Sequence, residues 1–191
     1  MSARDLHLLP SDLPVPEDDG AADHLPGMRL PALALPSTGG GTVELTVAAA
    51  QAGALVLYVY PRTGVPGQPS PDGWDAIPGA RGCTPQSCAF RDHHAELGAL
   101  GAEVIGLSAQ PAAEQAEFAA REHIPFALLS DPGLELAAVL RLPTFEAGGM
   151  RLYKRITLIA AADGTIAKAF YPVFPPDRNA AEVVGWLRER R

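Results

Sequence analysis

The sequence predicts an α/β domain, a mixed sheet with helices on both faces. Three observations predict it. The run Ala54-Leu-Val-Leu-Tyr-Val-Tyr60 is almost wholly apolar and β-prone, the pattern of a central strand covered on both sides. Downstream, β-prone runs alternate with amphipathic ones, as parallel pairing through helical crossovers requires. Asp163-Gly164 separates two later apolar runs, a strong hairpin signal that adds antiparallel strands. The chain has 191 residues, enough for one good core.

Taken in order, Met1 to Pro26 is acidic and proline-rich, with Pro10, Pro14, Pro16 and Pro26 among Asp12, Glu17, Asp18, Asp19 and Asp23. Such a stretch predicts an extended arm over residues 1–24, preceding a domain over 25–191. Leu30 to Leu35 alternates around Pro31 and suits a short edge strand. Ser37 to Gly41 reads as a turn and Thr42 to Val47 as a second short strand. Ala54 to Tyr60 is the central strand, ended by Pro61. Arg62 to Ala80 then carries four prolines (66, 69, 71, 78), four glycines (64, 67, 73, 79) and Trp74. A loop this long inside a domain tends to be functional. It is either a surface insertion pinned by Trp74 or a wall of the site's mouth.

A helix is expected from Cys83 to about Leu100, a buried strand over Glu103 to Ser108, and a helix over Pro111 to Glu122 with Pro111 in its first turn. Phe126 to Leu129 reads as a third core strand, and Ser130-Asp131-Pro132 caps a short helix through about Leu140. Leu142 to Met150 reads as a loop. Leu152 to Ala160 and Thr165 to Tyr171 are the hairpin strands, and Pro175-Pro176-Asp177 opens a final helix to about Arg190. Thioredoxin-like is the natural member of this class, here with an N-terminal extension and a long insertion before the helix at Cys83.

Composition narrows the function. The net charge of −7 argues against nucleic acid or an anionic membrane as partner. No apolar run approaches the ~20 residues that span a bilayer. Met1 to Pro26 lacks the apolar segment of a signal peptide, so cytoplasm is the expected location. In that compartment a close cysteine pair is catalytic, redox-active or metal-binding more often than a permanent staple.

Cys83 and Cys88 are the two cysteines of the chain. Cys83 falls where a loop becomes a helix. There the helix dipole and free backbone N–H groups favour the thiolate, the reactive form. Five residues on a helix are ~7.5 Å apart along the axis, whereas a disulfide wants Cα atoms ~4.4–6.8 Å apart. The spacing therefore suggests a switch between a folded dithiol and a locally unwound disulfide. Pro85 disfavours helical geometry at Thr84, so the intervening turn is poorly nucleated. A zinc half-site with His93 and His94 is disfavoured, because Cys-x₄-Cys before adjacent histidines is not a standard ligand spacing. Arg91 either pairs locally with Asp92 or buttresses the loop. Trp74, Phe145 and Phe174 read as packing residues, and Phe145 is also a candidate for the substrate mouth.

The run Gly82-Cys-Thr-Pro-Gln-Ser-Cys-Ala-Phe-Arg-Asp92 resembles the active-site segment of the peroxiredoxins of the bacterioferritin comigratory protein (peroxiredoxin Q) group. Arg155-Ile-Thr-Leu-Ile-Ala-Ala-Ala-Asp-Gly164 resembles that group's second signature, and Tyr60-Pro61 its strand end before the site. The likeness runs from about Leu25 to Leu187. It implies a thioredoxin-like fold and a thiol peroxidase that reduces hydrogen peroxide or organic hydroperoxides. It implies that Cys83 is peroxidatic, Cys88 resolving and Arg155 activating, with Pro61 and Gly82 binding substrate. An intramolecular disulfide is recycled by thioredoxin or a similar dithiol protein, with no metal or organic cofactor, in a monomer. The chain departs from the group in three ways. The long insertion separates Pro61 from Cys83. Ala80 stands where a threonine is expected, which leaves Thr63 or Thr84 to supply the hydroxyl. Ala160 or Ala161 replaces an expected aspartate. The alternatives are a redox-sensing domain that uses the same pair without turnover, and a dithiol oxidoreductase.

Overall fold

The computed structural model describes residues 6–190. Five strands form the central sheet: β3 (Ala54–Val59), β4 (Ala102–Ser108), β5 (Leu128–Ser130), β8 (Ile156–Ala161) and β9 (Ile166–Phe170). Their order is β5-β4-β3-β8-β9. The β3–β4 and β4–β5 pairs are parallel, and β3–β8 and β8–β9 are antiparallel. The mixed sheet that the sequence predicts is therefore present, with β3 at its centre.

The pleat sends successive side chains to opposite faces. Leu55, Leu57 and Val59 join one core with Leu158, Tyr153 and Leu140. Val56, Tyr58 and Tyr60 join the other with Phe90, Phe118 and Val183. The first face is covered by α1 (Leu45–Gln51) and α5 (Glu135–Leu140). The second is covered by α2 (Cys83–Asp92), α3 (His94–Ala99), α4 (Ala112–Arg121) and α6 (Asn179–Arg188). Burial of a large apolar side chain stabilises by ~1.5–3 kcal/mol, so two such layers hold β3 rigidly beneath the site.

Several elements differ from the expectation. The edge strand is β1 (Ala34–Pro36), paired with β2 (Thr42–Glu44), and not Leu30 to Leu35. Before it, the Leu33 N–H closes on the Pro31 carbonyl (2.8 Å) and keeps those residues out of a ladder. The second strand stops at Glu44, because its carboxylate caps α1 by accepting from Thr46 N (2.9 Å) and Val47 N (3.3 Å). The helix expected over Cys83 to Leu100 breaks at His93 into α2 and α3. The third core strand lies at Leu128–Ser130, later than expected.

The expected loop over Leu142 to Met150 holds a hairpin, β6 (Thr144–Ala147) and β7 (Met150–Tyr153). Gly148 and Gly149, both at positive φ (55° and 73°), make its two-residue turn. The strand expected from Leu152 is thereby split at Lys154-Arg155. The final helix starts at Asn179, after a 3₁₀ turn at Pro176–Arg178. Asp131 caps α5 as expected, accepting from Glu135 N and Leu136 N (2.9 Å each).

The arm expected over residues 1–24 is seen from Leu6; its first five residues lie outside the described residues. Residues 6–24 form no helix or strand. They are tied down by side chains: Asp19 pairs with Lys154 (2.8 Å) and accepts from the Tyr171 hydroxyl (2.9 Å), and a His24 ring nitrogen meets the Leu140 carbonyl (2.8 Å). Among the described residues, no helix is long and apolar enough to cross a membrane.

Candidate active site

Cys83 is the first residue of α2, at the C-terminal end of β3. Gly82 caps the helix with φ +105° and no side-chain hydrogen bond. A side chain at Gly82 is excluded twice, by that φ and by contact. A Cβ there would lie 2.3 Å from Pro176 Cγ and 2.9 Å from Leu9 Cδ2. A bare backbone at the helix N-terminus leaves its first N–H groups to favour negative charge beside the sulfur.

Arg155 completes the arrangement. It is buried just before β8, and its Nη2 lies 3.3 Å from Cys83 Sγ. The same nitrogen lies within 3.1–3.2 Å of the Gly79, Ala80 and Arg81 carbonyls. Two N–H protons thus face four acceptors, so the guanidinium holds the loop end and the sulfur together. Nη1 donates to Gln86 Oε1. Gln86 is itself held by Asn179, whose Oδ1 accepts from Gln86 Nε2 (3.0 Å) and from Thr157 Oγ1 (2.7 Å). When protonated, Cys83 Sγ faces the Ala80 carbonyl at 3.7 Å.

A cleft of about 390 Å³ opens over Cys83. Most of its wall is the insertion: residues 62–65, 68–72 and Trp74 line it, with Arg81 to Thr84 opposite. The loop thus walls the mouth, and Trp74 anchors it, packed against Phe145 (ring centroids 6.1 Å apart). Arg81 donates to both oxygens of Asp75, which braces the rim. Leu6 of the arm lies over the far end, where a methyl at Gly64 would meet its Cδ2 at 2.7 Å.

Of the two expected substrate-binding residues, Gly82 lines the cleft and Pro61 does not. Pro61 is buried behind it, its carbonyl accepting from Ser108 Oγ (3.0 Å). Thr63 and Thr84 both line the cleft, and Ala80 is fully buried. Thr63 Oγ1 donates to Gln110 Oε1 (3.0 Å), so that hydroxyl already has a fixed direction. Phe145 lines a different cavity, with Arg155, Lys154 and residues of the arm.

Cys88 is also a free thiol in α2, and it is buried. Its Sγ faces Glu122 Oε2 at 3.8 Å. Burial pushes its pKa up, the nearby Arg91 guanidinium opposes this, and the Glu122 carboxylate adds to it. Arg91 pairs with Asp92 (2.9 Å) and also donates to the Glu122 carbonyl (2.7 Å), so it buttresses the end of α4. His93 pairs with Glu96, and His94 packs on Phe126. Neither histidine joins the cysteines.

Gln86 and Asn179 did not stand out in the sequence. A glutamine between two cysteines reads as polar helix surface, and only a tertiary partner reveals it as buried. The one available signal was the glutamine's place on the turn that follows Cys83.

The redoxin family model matches residues 25–184. The chain is 32% identical to the chloroplastic peroxiredoxin Q of Triticum aestivum over 130 residues, 68% of this chain and 52% of that protein. It is 32% identical to peroxiredoxin bcp1 of Schizosaccharomyces pombe over 128 residues, covering 67% and 56%. It thus spans about half the length of the curated relatives it matches. Among solved structures, peroxidoxin BcpB from Mycobacterium tuberculosis superimposes with a TM-score of 0.71 at 27% identity, covering 87% of this chain and 97% of that one. Xanthomonas campestris peroxiredoxin Q matches in fold, with a TM-score of 0.67 at 22% identity over 86% and 97%.

Proposed function

Because this chain belongs to the redoxin family, we propose that it is a thiol peroxidase that reduces hydrogen peroxide or organic hydroperoxides. The observation that carries the reading is the Arg155 guanidinium 3.3 Å from the Cys83 sulfur, at a helix N-terminus on a cleft. A thiolate there is stabilised by a fixed positive charge. The same donors face the charge that develops on the peroxide oxygens in the transition state, where preorganised dipoles contribute most.

In the first step the Cys83 thiolate attacks the terminal peroxide oxygen. The O–O bond breaks, the sulfur becomes a sulfenic acid, and the alcohol or water leaves with one added proton. In the second step Cys88, as thiolate, attacks the Cys83 sulfur, a disulfide forms and hydroxide leaves as water. Both cysteines lie in α2, five residues apart, which places them too far apart to bond while the helix is formed. Unwinding the first turns strips Gln86 from Arg155 and Asn179, and Ser87 from the Tyr58 hydroxyl (3.1 Å). Local openings of this kind are drawn from the low-stability end of a fold. The start of α2, which has no side-chain cap, and Pro85 suit it to that role.

A dithiol protein such as thioredoxin then reduces the disulfide by exchange. No metal or organic cofactor takes part. Since one helix supplies both thiols, a monomer suffices. Stopped-flow mixing of the reduced protein with hydrogen peroxide tests the reading. Rapid second-order oxidation is expected in the wild type and none in Cys83→Ser. Equal rates in both proteins would overturn it, and stoichiometric oxidation without turnover under thioredoxin and its reductase would favour a sensor.

A further inference from the structure

We propose that Cys88, Glu122 and His7 form a divalent-metal site of the zinc class in the reduced protein. Among the described residues these three alone group as potential ligands, with their ligand atoms all within 4.8 Å of one another. Glu122 Oε2 lies 3.8 Å from Cys88 Sγ and 3.5 Å from His7 Nε2. Tetrahedral zinc with sulfur at ~2.3 Å and nitrogen or oxygen at ~2.0–2.2 Å sets its ligand atoms ~3.3–3.7 Å apart. Two of the three edges therefore already have about the right length. The third closes by movement of His7, which is exposed on the arm. A fourth position stays open to water.

The chemistry of the set agrees. Thiolate and imidazole select zinc over the hard cations. Thiolate and carboxylate together balance a +2 ion. The neighbouring guanidiniums do not oppose it unscreened: Arg121 holds Glu122 Oε1 and is paired with Glu117 (2.8 Å), and Arg91 is paired with Asp92 (2.9 Å). The Glu122 oxygen that Arg121 does not hold is the one turned to Cys88 and His7. Binding is an exchange without redox change: the Cys88 S–H bond breaks, a sulfur–metal bond forms, and the proton goes to solvent.

The site joins three segments, α2, the end of α4 and the arm. Metal there anchors Cys88 in the folded helix and occupies the thiolate that would attack Cys83. This consequence rests on the peroxidase reading: metal should leave the peroxide step alone and slow disulfide formation.

Cobalt(II) titration of the full-length reduced protein without oxygen tests the site. A near-ultraviolet thiolate-to-cobalt charge-transfer band should appear in the wild type and in Cys83→Ser, and vanish in Cys88→Ser. His7→Ala, at an exposed position, should weaken cobalt binding by more than the ~10-fold that even an outer-shell partner costs. Absence of the band in the wild type, its persistence in Cys88→Ser, or unchanged affinity in His7→Ala would overturn the proposal. In single-turnover assays, saturating zinc(II) should delay the disulfide in the wild type and much less in His7→Ala. If peroxide fails to oxidise even the metal-free protein, the peroxidase reading fails while the cobalt result stands on its own.

Discussion

Gln86 Oε1 accepts a hydrogen bond from Arg155 Nη1, although Gln86 lies between the two cysteines and Arg155 sits 69 residues further on. The helix that the proposed cycle opens thus also aims the guanidinium that serves its first residue. Once α2 unwinds, that aim is lost along with the fold. On the proposed cycle, disulfide formation and activation of Cys83 are therefore mutually exclusive states of one segment.

Gln86→Leu should weaken both functions of that contact. Arg155 Nη1 and Asn179 lose a buried partner, each worth ~1–3 kcal/mol of desolvation. We expect a lower urea midpoint and slower oxidation of Cys83 by hydrogen peroxide, read by stopped flow. A variant with unchanged kinetics would show that Arg155 needs no help from α2.

Arg155→Ala should slow the peroxide step by ~10²–10³-fold, the usual cost of a lost transition-state donor. Arg155→Lys should recover little of it. A single ammonium cannot donate to Gln86 and also hold three carbonyls and the sulfur. Second-order rate constants for the two variants, measured beside the wild type, check this.

Cys88→Ser should undergo one round of oxidation and stop. Without a thiol to capture the sulfenic acid, excess peroxide should carry Cys83 on to the sulfinic acid. Intact-mass spectrometry reads the product directly. Normal recycling by thioredoxin in this variant would remove Cys88 from the cycle.

The arm's clasp should respond to acid. Asp19 is held down to about 2, chiefly by hydrogen bonds from Lys154 and then Tyr171. A depressed carboxyl stabilises above its unfolded value of ~3.9 and loses that contribution as pH falls through about 2. Since Asp19 is half exposed, its worth at neutral pH is under ~1 kcal/mol. Asp19→Asn should lower the urea midpoint slightly at neutral pH, and the gap to wild type should close in strong acid. A gap independent of pH would mean that the ion pair contributes nothing.

The central strand was legible because Ala54–Val59 is apolar on both faces, and the β8–β9 hairpin because Asp-Gly permits little else. Other elements hid for identifiable reasons. The helix α1 opens with Leu45-Thr-Val47, which reads as strand, and its cap is Glu44, an uncommon cap residue. The β6–β7 hairpin had a readable Gly148-Gly149 turn, but its strands are only four residues each. The pairing of Cys83 with Arg155 followed from a resemblance. The Gln86–Asn179 support needed the fold itself, as did the approach of His7 to Cys88, since long-range register leaves no local mark.

The resting of Leu6 on Gly64 has an engineering consequence. One added methyl would press on the leucyl tip and shift it at the far end of the cleft without altering any reacting group. On the peroxidase reading, bulky organic hydroperoxides should gain from that change while hydrogen peroxide, already small enough, should not. Selectivity by size would then be adjustable from the rim, independent of intrinsic reactivity.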